Sequence, residues 1–392
     1  MVQTTELLIG NTLNSLLKNP VVLDVETTIK NNGNLRTAGN TLVTVQLKSG
    51  PSKSLVFFKE DFDKVIPILK DASVVITTNG KFDLNWLRHE FGYTPQCVWD
   101  LQIAEFLFSR QMWKYPDLNT MCINYGLPPK LDIVATQYWD QGIDTTEIPR
   151  DILAEYGAAD CDREYEVFLK QVEIFRTEKQ HMFRLFRVQC NDMVVLAEME
   201  WNGIAYDTEG SLNRAQALTN QIGEIEGEMY VFTKGIPINF NSPAQVSKLL
   251  YGGDIVVESR IPNGVFKSGA RIGQVKYMKK ETVYTFPRLV NPLKRKGDES
   301  YSVDEPTLLS LKAPAIGRKL IELLLKRVKL QKLNSTYLEG FPKRIAESEW
   351  PANRVYSTLN QCLVVTGRLS SAKPNQQNLP GEAKYFCVSR FD

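Results

Sequence analysis

The sequence predicts an α/β sandwich around a mixed sheet, followed by a mainly helical second half. Two observations carry this. From residue 18, short β-branched runs alternate with amphipathic helical stretches, and from residue 149 long helical periodicity takes over. The chain has 392 residues, 43% of them hydrophobic, enough for a real core and for two or three domains.

In order, NPVVLDVETT is an apolar strand, and TLVTVQLKSG and KSLVFF, divided by the turn-forming SGPS, are two more. KEDFDKVIPILKDA is amphipathic and helical, SVVITTN is again a strand, and GKFDLNWLRHEFG is a helix ended by glycine. CVWD is a short strand before the helix LQIAEFLFSRQM. The segment 149–175 is one long helix, with Pro149 and Asp151 as entry signals. Helical periodicity then runs on to Gly203. The stretch from about 251 to 300 is punctuated by Gly and Pro and is basic, an insertion with small strands of its own. Helix returns from about 306 to 340.

Composition removes several kinds of chemistry. The six cysteines lie far apart with no Cys-x-x-Cys pair, and read as reduced, buried, small hydrophobes. Only His89 and His181 exist, which excludes His-rich metal centres and leaves metal chemistry to carboxylates and hard ions such as Mg²⁺ or Mn²⁺. No run approaches 18 uncharged apolar residues, and the N-terminus has an acid where a secretory signal needs a base. The expected location is the cytoplasm, away from membranes.

The net charge of +2 hides an asymmetry. Residues 1–170 hold 16 Lys/Arg against 22 Asp/Glu, a net of −6, and the remainder holds 47 − 16 = 31 against 45 − 22 = 23, a net of +8. The basic excess gathers at KYMKK (276–280), PLKRKG (292–297) and LLLKRVKLQKL (323–333). Such runs are either a solvated surface or a phosphate-binding face.

LDVETT sets Asp24 and Glu26 two apart in an apolar strand, so both side chains emerge on one face. Two like charges there need a neutraliser, and a divalent cation is the natural one. Asp83 falls just past a strand end in the first turn of a helix, where an acid is also an ordinary helix-entry residue. Tyr156 and Asp160, four apart, stack on one helical face, which a plain surface pair also does.

Together, Asp-x-Glu on a first strand, Asn-x-x-x-Asp at a strand-to-helix junction and Tyr-x-x-x-Asp on a later helix resemble the DEDD exonuclease superfamily, in its tyrosine subclass. VVLDVETT, NGKFD and YGAAD are similar to the proofreading 3′-5′ exonuclease of family A DNA polymerases, of the bacterial polymerase I type. The resemblance implies an RNase H-like domain over 1–175. It implies that Asp24, Glu26 and Asp160 hold one of two divalent ions, Mg²⁺ or Mn²⁺, with Asp24 bridging to the second and Asp83 acting on that second ion through water. Tyr156 would orient the attacking water, and Thr27, Asn79 and Phe82 would shape a pocket for a single-stranded DNA 3′ end.

MEWNGIAYD (199–207), INFNSPAQVSKLLY (238–251), SVDEPTLLSL (302–311), KLQKLNSTYLEGFP (329–342) and TGRLSSAKPNQQNLP (366–380) follow in the order of the thumb and early palm of the same family. This implies a thumb over 176–345, carrying the basic insertion, and the start of a palm over 346–392. Asn241, Ser242, Lys332, Ser335 and Thr336 offer groups to the backbone of primer-template duplex. Arg368, Asn375, Gln377 and Asn378 can reach minor-groove acceptors common to all base pairs, or, for the amides, cap local turns. The longer 251–300 segment is more typical of phage relatives, which would put the protein in a host cytoplasm.

KYFCVSRFD resembles the lead-in to the first palm carboxylate motif, and Asp392 is too early to be that aspartate. The expectation is an exonuclease-bearing part of a split polymerase, whose palm and fingers come on a second polypeptide. A stand-alone trimming nuclease and a non-enzymatic DNA-binding replisome subunit are the alternatives. The intact five-residue set counts against the last. The 251–300 insertion is read as contacting either DNA or a processivity factor.

Overall fold

The strand run from Pro20 to Thr27 (β1) is buried for most of its length because Val21, Val22, Leu23 and Val25 put apolar side chains on both faces of a sheet. It pairs antiparallel with β2 (Leu42–Ser49), which pairs antiparallel with β3 (Leu55–Phe58). On its other side it pairs parallel with β4 (Val74–Thr77), which pairs parallel with β5 (Val98–Asp100). The order β3-β2-β1-β4-β5 is the mixed sheet that the sequence predicts. The computed structural model describes residues 10–130, 132–293 and 300–389.

Helices cover both faces. They are α1 (Val65–Asp71), α2 (Lys81–Phe91), α3 (Leu101–Phe108), α4 (Leu118–Asn124), α5 (Ile133–Gln137), α6 (Arg150–Thr177) and α7 (Phe183–Asn202). Gly92 ends α2 with φ 62°, a left-handed cap that glycine adopts without strain. Val22 of β1 joins one apolar layer with Trp99, Phe168, Phe175 and Phe186, while Val21, Leu23 and Val25 join another with Leu47 and Trp86. Trp99 is ringed edge-on by Phe168, Phe175 and Phe186, and its indole N–H donates to Gln171 Oε1 at 2.9 Å.

The chain divides into two compact units. One runs to Asp207 and takes in the stretch from Lys343 onward; the other is Thr208–Pro342. These divisions differ from the motif boundaries at 175 and 345. The returning stretch is fastened within the first unit by polar contacts. The Arg36 guanidinium lies between the Trp201 and Tyr356 rings, 4.6 and 4.4 Å from their centroids, and donates to the Trp201 carbonyl. Glu200 accepts from Lys81 Nζ at 2.5 Å and from the Leu359 N–H at 2.6 Å. The short strand β6 (Ile204–Tyr206) pairs with Arg354–Val355 on one side and Cys387–Val388 on the other, leaving Tyr385 exposed. Asp392 and the end of the expected palm lead-in lie outside the described residues.

The second unit holds α8 (Thr208–Thr233), α9 (Pro243–Tyr251), a two-stranded ribbon of β7 (Gly253–Val265) and β8 (Val275–Phe286), α10 (Glu305–Ser310) and α11 (Ala315–Leu333). The helical stretch expected from about 306 to 340 is present but interrupted. It breaks before Pro314, which lacks an N–H and restricts the residue ahead of it, and after Leu333 it loosens into a π-turn over Asn334–Leu338. The basic run 292–297 lies mostly outside the described residues. Among the described residues no helix is long and apolar enough to cross a membrane.

Gly157 fixes how closely α6 lies on the sheet. A Cβ there would sit 2.5 Å from the side chain of Gln46, which is itself fully buried and donates to Thr44 Oγ1. Gly157→Ala should therefore cost about 1–3 kcal/mol by overpacking, although Ala is the better helix former. Urea unfolding measures this, and an unchanged or higher stability would show that α6 does not depend on this close approach.

Candidate active site

Sheet geometry delivers the first two acids. Residues two apart on β1 share a face, so Asp24 and Glu26 point the same way, at the edge of the apolar layers. Helix α6 crosses that face and presents Tyr156 and Asp160, one turn apart, both nearly fully buried. One carboxylate oxygen from each of Asp24, Glu26 and Asp160 lies within 4.8 Å of the others. Asp83, buried in the first turn of α2, stands outside this triad but close enough to repel Asp24.

A further acid holds the frame. Asp100, at the end of β5, caps α3 by accepting the Ile103 N–H at 2.9 Å, and it also accepts the Gly80 N–H at 2.8 Å. The loop that carries Asn79 and leads into Asp83 is therefore pinned to the neighbouring strand. Its tightness shows at Asn79, whose φ of 60° is one that Asn tolerates better than most side chains.

The site is short of positive charge. Burial, and then the neighbouring Asp160 carboxylate, pushes Asp24 up to about 7. Burial and the Asp24 charge hold Glu26 and Asp83 well above the usual carboxylate range, and burial raises Asp160 as well. Two residues that the motifs missed belong here. Glu164, one turn beyond Asp160 on α6, is buried and raised chiefly by desolvation and then by Asp24. Lys130 places its ammonium 2.6 Å from Asp160 Oδ2 and 4.8 Å from the Tyr156 ring centroid. Burial alone would lower the Lys130 pKa, but Asp160, Tyr156 and Asp24 outweigh it and push it up. One ammonium does not balance five carboxyls. Asp24 Oδ2, Asp160 Oδ1 and Glu164 Oε2 are buried without a hydrogen-bond partner. Hard carboxylate oxygens gathered at the spacing of Asp24, Glu26 and Asp160, beside orphaned acceptors, fit a divalent ion such as Mg²⁺ or Mn²⁺.

The remaining expected residues fall in three places. Thr27 is buried at the end of β1, where its carbonyl accepts from Thr145 Oγ1 at 2.6 Å, and Asn79 and Phe82 line a cleft of about 900 Å³ together with Arg36, Lys81, Arg344 and Tyr356. In the second unit Ser242 caps α9 by accepting the Gln245 N–H, with Pro243 behind it, and Asn241 accepts from the buried Arg327 at 3.0 Å. Lys332, Ser335 and Thr336 are exposed around the π-turn. In the returning stretch Arg368, Asn375, Gln377 and Asn378 are exposed, and Asn375 Oδ1 accepts the Gln377 N–H at 3.0 Å, which is the turn-capping alternative for that residue.

The raised acids set the pH behaviour of the metal-free protein. A carboxyl whose folded pKa lies above its unfolded value contributes stability that is complete below the unfolded value and lost as pH rises through the folded one. For Asp24 that window runs from the ordinary 3.8 to about 7. In EDTA the melting temperature should fall between about pH 5 and pH 8, and Mg²⁺ should restore most of it at the upper end. A melting temperature in EDTA that is flat or rising over this range would contradict the charge balance described.

Residues 2–173 match a family model described as 3′-5′ exonuclease, and residues 209–387 match one described as DNA polymerase family A. DNA polymerase I of Synechocystis is 25% identical over 309 residues, spanning 78% of this chain and 27% of that protein. The DNA polymerase of Bacillus phage SP01 is 24% identical over 330 residues, spanning 78% of this chain and 34% of its own length. DNA polymerase I of Geobacillus stearothermophilus is 29% identical over 186 residues, spanning 47% of this chain and 16% of its own. The chain thus spans well under half the length of these relatives. Among solved structures, the POL domain of Pol1 from M. smegmatis, in complex with DNA primer-template and dNTP, superposes with a TM-score of 0.64 at 20% identity. That match covers 97% of this chain and 56% of the other, and it shows a shared fold. The chain thus carries a region that matches the 3′-5′ exonuclease model ahead of a region that matches the DNA polymerase family A model.

Proposed function

We propose that this chain removes nucleotides from DNA 3′ ends by metal-assisted phosphodiester hydrolysis and so proofreads for a polymerase. The observation that carries this is the triad of the half-buried Asp24 and Glu26 with the buried Asp160, together with the orphaned oxygens of Asp24 and Asp160. Asp24, Glu26 and Asp160 would hold one divalent ion, and Asp24 with Asp83 would serve a second. Two such ions supply a nucleophilic hydroxide and stabilise the leaving alkoxide.

The chain's own groups do the rest. Tyr156, kept a neutral phenol by burial and by the nearby Glu26 charge, is available to orient the attacking water. Lys130 fixes Asp160 from the side. Asn79 and Phe82 line a cleft together with Lys81, Arg36 and Tyr356, and cationic and aromatic groups of this kind suit a single strand. In the second unit Asn241, Ser242, Lys332, Ser335 and Thr336, and in the returning stretch Arg368, Asn375, Gln377 and Asn378, are proposed to grip primer-template duplex. Polymerisation is assigned to palm and fingers on a second polypeptide or on a further part of the same one. A processivity factor on that assembly stays within this proposal.

Digestion of a 5′-labelled single strand tests the assignment. Asp24→Ala and Asp160→Ala should each lower Mg²⁺-dependent hydrolysis on the order of 10³-fold or more, and Tyr156→Phe about 10²-fold with DNA binding retained. Wild-type rates in either aspartate variant would refute it. Primer extension by the same preparations, with and without a chain carrying palm and fingers, tests the polymerase context separately.

A further inference from the structure

The ribbon of β7 and β8 has no part in the site described above. Its strands are 13 and 12 residues long, about 40 Å at the usual rise, and only the base is anchored. There Ile255 and Phe286 are buried, and Val257 and Tyr284 pack against the core of the second unit. Beyond Glu258 and its cross-strand partner Glu281 the ribbon enters solvent. Every residue from Ser259 to Lys280 is exposed except the half-buried Phe266.

That distal half carries Arg260, Lys267, Arg271, Lys276, Lys279 and Lys280 and no Asp or Glu. Strand alternation sorts the cations onto both faces. Arg260 lies directly opposite Lys279 on one, and Lys276 and Lys280 share the other, where Lys280 faces Ser259. Like charges placed opposite one another weaken a hairpin, and Glu258 at the base of the ribbon offsets this in part, pairing with Lys279 Nζ at 2.8 Å and more weakly attracting Arg260. The tip is closed by the Phe266 N–H donating to the Gln274 carbonyl and the Gly273 N–H to the Phe266 carbonyl, both at 2.9 Å. A preformed two-stranded rod with cations along both faces matches a polyanion that offers two parallel rails of charge. A two-stranded ribbon also fits the duplex major groove, which is about 12 Å wide.

We propose that the distal half of this ribbon is a sequence-independent contact for the phosphate backbone of duplex DNA. Arg260 serves one phosphate rail, and Lys276 and Lys280 serve the other. The contact rests on reading the chain as a DNA-handling protein and extends the duplex-binding surface to an element outside the motifs that carried that reading. A protein partner at the same place would leave duplex affinity independent of these cations.

The test is fluorescence anisotropy of the full chain on a blunt duplex of about two helical turns, in EDTA to prevent hydrolysis, over a range of NaCl concentrations. The wild type is compared with the triple variant Arg260→Gln, Lys276→Gln, Lys280→Gln. All three positions are exposed, and unchanged thermal melting confirms that the variant folds. Each lost phosphate contact flattens the log K against log salt slope by about 0.9, so the slope should become shallower by about 2 to 3, with weaker binding at low salt and no dependence on sequence. An unchanged slope and affinity in the variant, or a loss confined to single strands, would overturn the proposal while leaving the wider reading intact. Failure of the wild-type chain to bind duplex at all would overturn both.

Discussion

Like charges buried together are the constraint around which the first unit is built. Asp24 and Glu26 leave an apolar central strand on one face, and α6 brings Asp160 and Glu164 down onto that face rather than away from it. Each of these carboxyls is desolvated, and each raises the cost of ionising its neighbours. Such an arrangement persists only if the surrounding fold holds it, and if something positive completes it. Trp99 and its ring of phenylalanines, the Asp100 bonds to the β4–α2 loop, and the missing Cβ of Gly157 hold α6, β1 and α2 at the required separations. Lys130 supplies part of the charge. The orphaned oxygens mark the rest.

Much of this was legible in the sequence because it is local. Period-two alternation places Asp24 and Glu26 on one face, and a four-residue step places Tyr156 and Asp160 on one helical face. The same step from Asp160 reaches Glu164, so that acid was available to the same reasoning, but it falls outside the quoted motif. Lys130 was not legible. It lies in a loop between helices, and only the tertiary fold brings its ammonium to Asp160, thirty residues away. Nor was the return of the stretch from Lys343 to the first unit, which depends on contacts such as Leu359 to Glu200 across 159 residues of sequence. Within the helical stretch from about 306 to 340 the interruption ahead of Pro314 follows from its missing N–H, a local effect that leucine and lysine periodicity does not carry.

The second unit follows a different logic. Its polar residues are of two kinds, those spent on the fold and those left facing water. Arg327, nearly fully buried and bonded to Glu226 Oε1 at 2.6 Å and to Asn241, belongs to the first kind. So does Ser242 in its capping role. Lys332 and Thr336, exposed about a π-turn, belong to the second, as does the distal ribbon, whereas the exposed Ser335 donates its hydroxyl to the Gln331 carbonyl at 2.8 Å.

The central claim is that the triad of Asp24, Glu26 and Asp160 exists to be completed by divalent cations. Calorimetric titration of Mn²⁺ into the metal-free chain near neutral pH, with Asp24→Asn and Asp160→Asn alongside, measures this without relying on catalysis. The account predicts saturable binding by the wild type with release of protons from the raised acids, and loss of that binding in both variants. Absence of binding in the wild type, or wild-type binding in both variants, would contradict it.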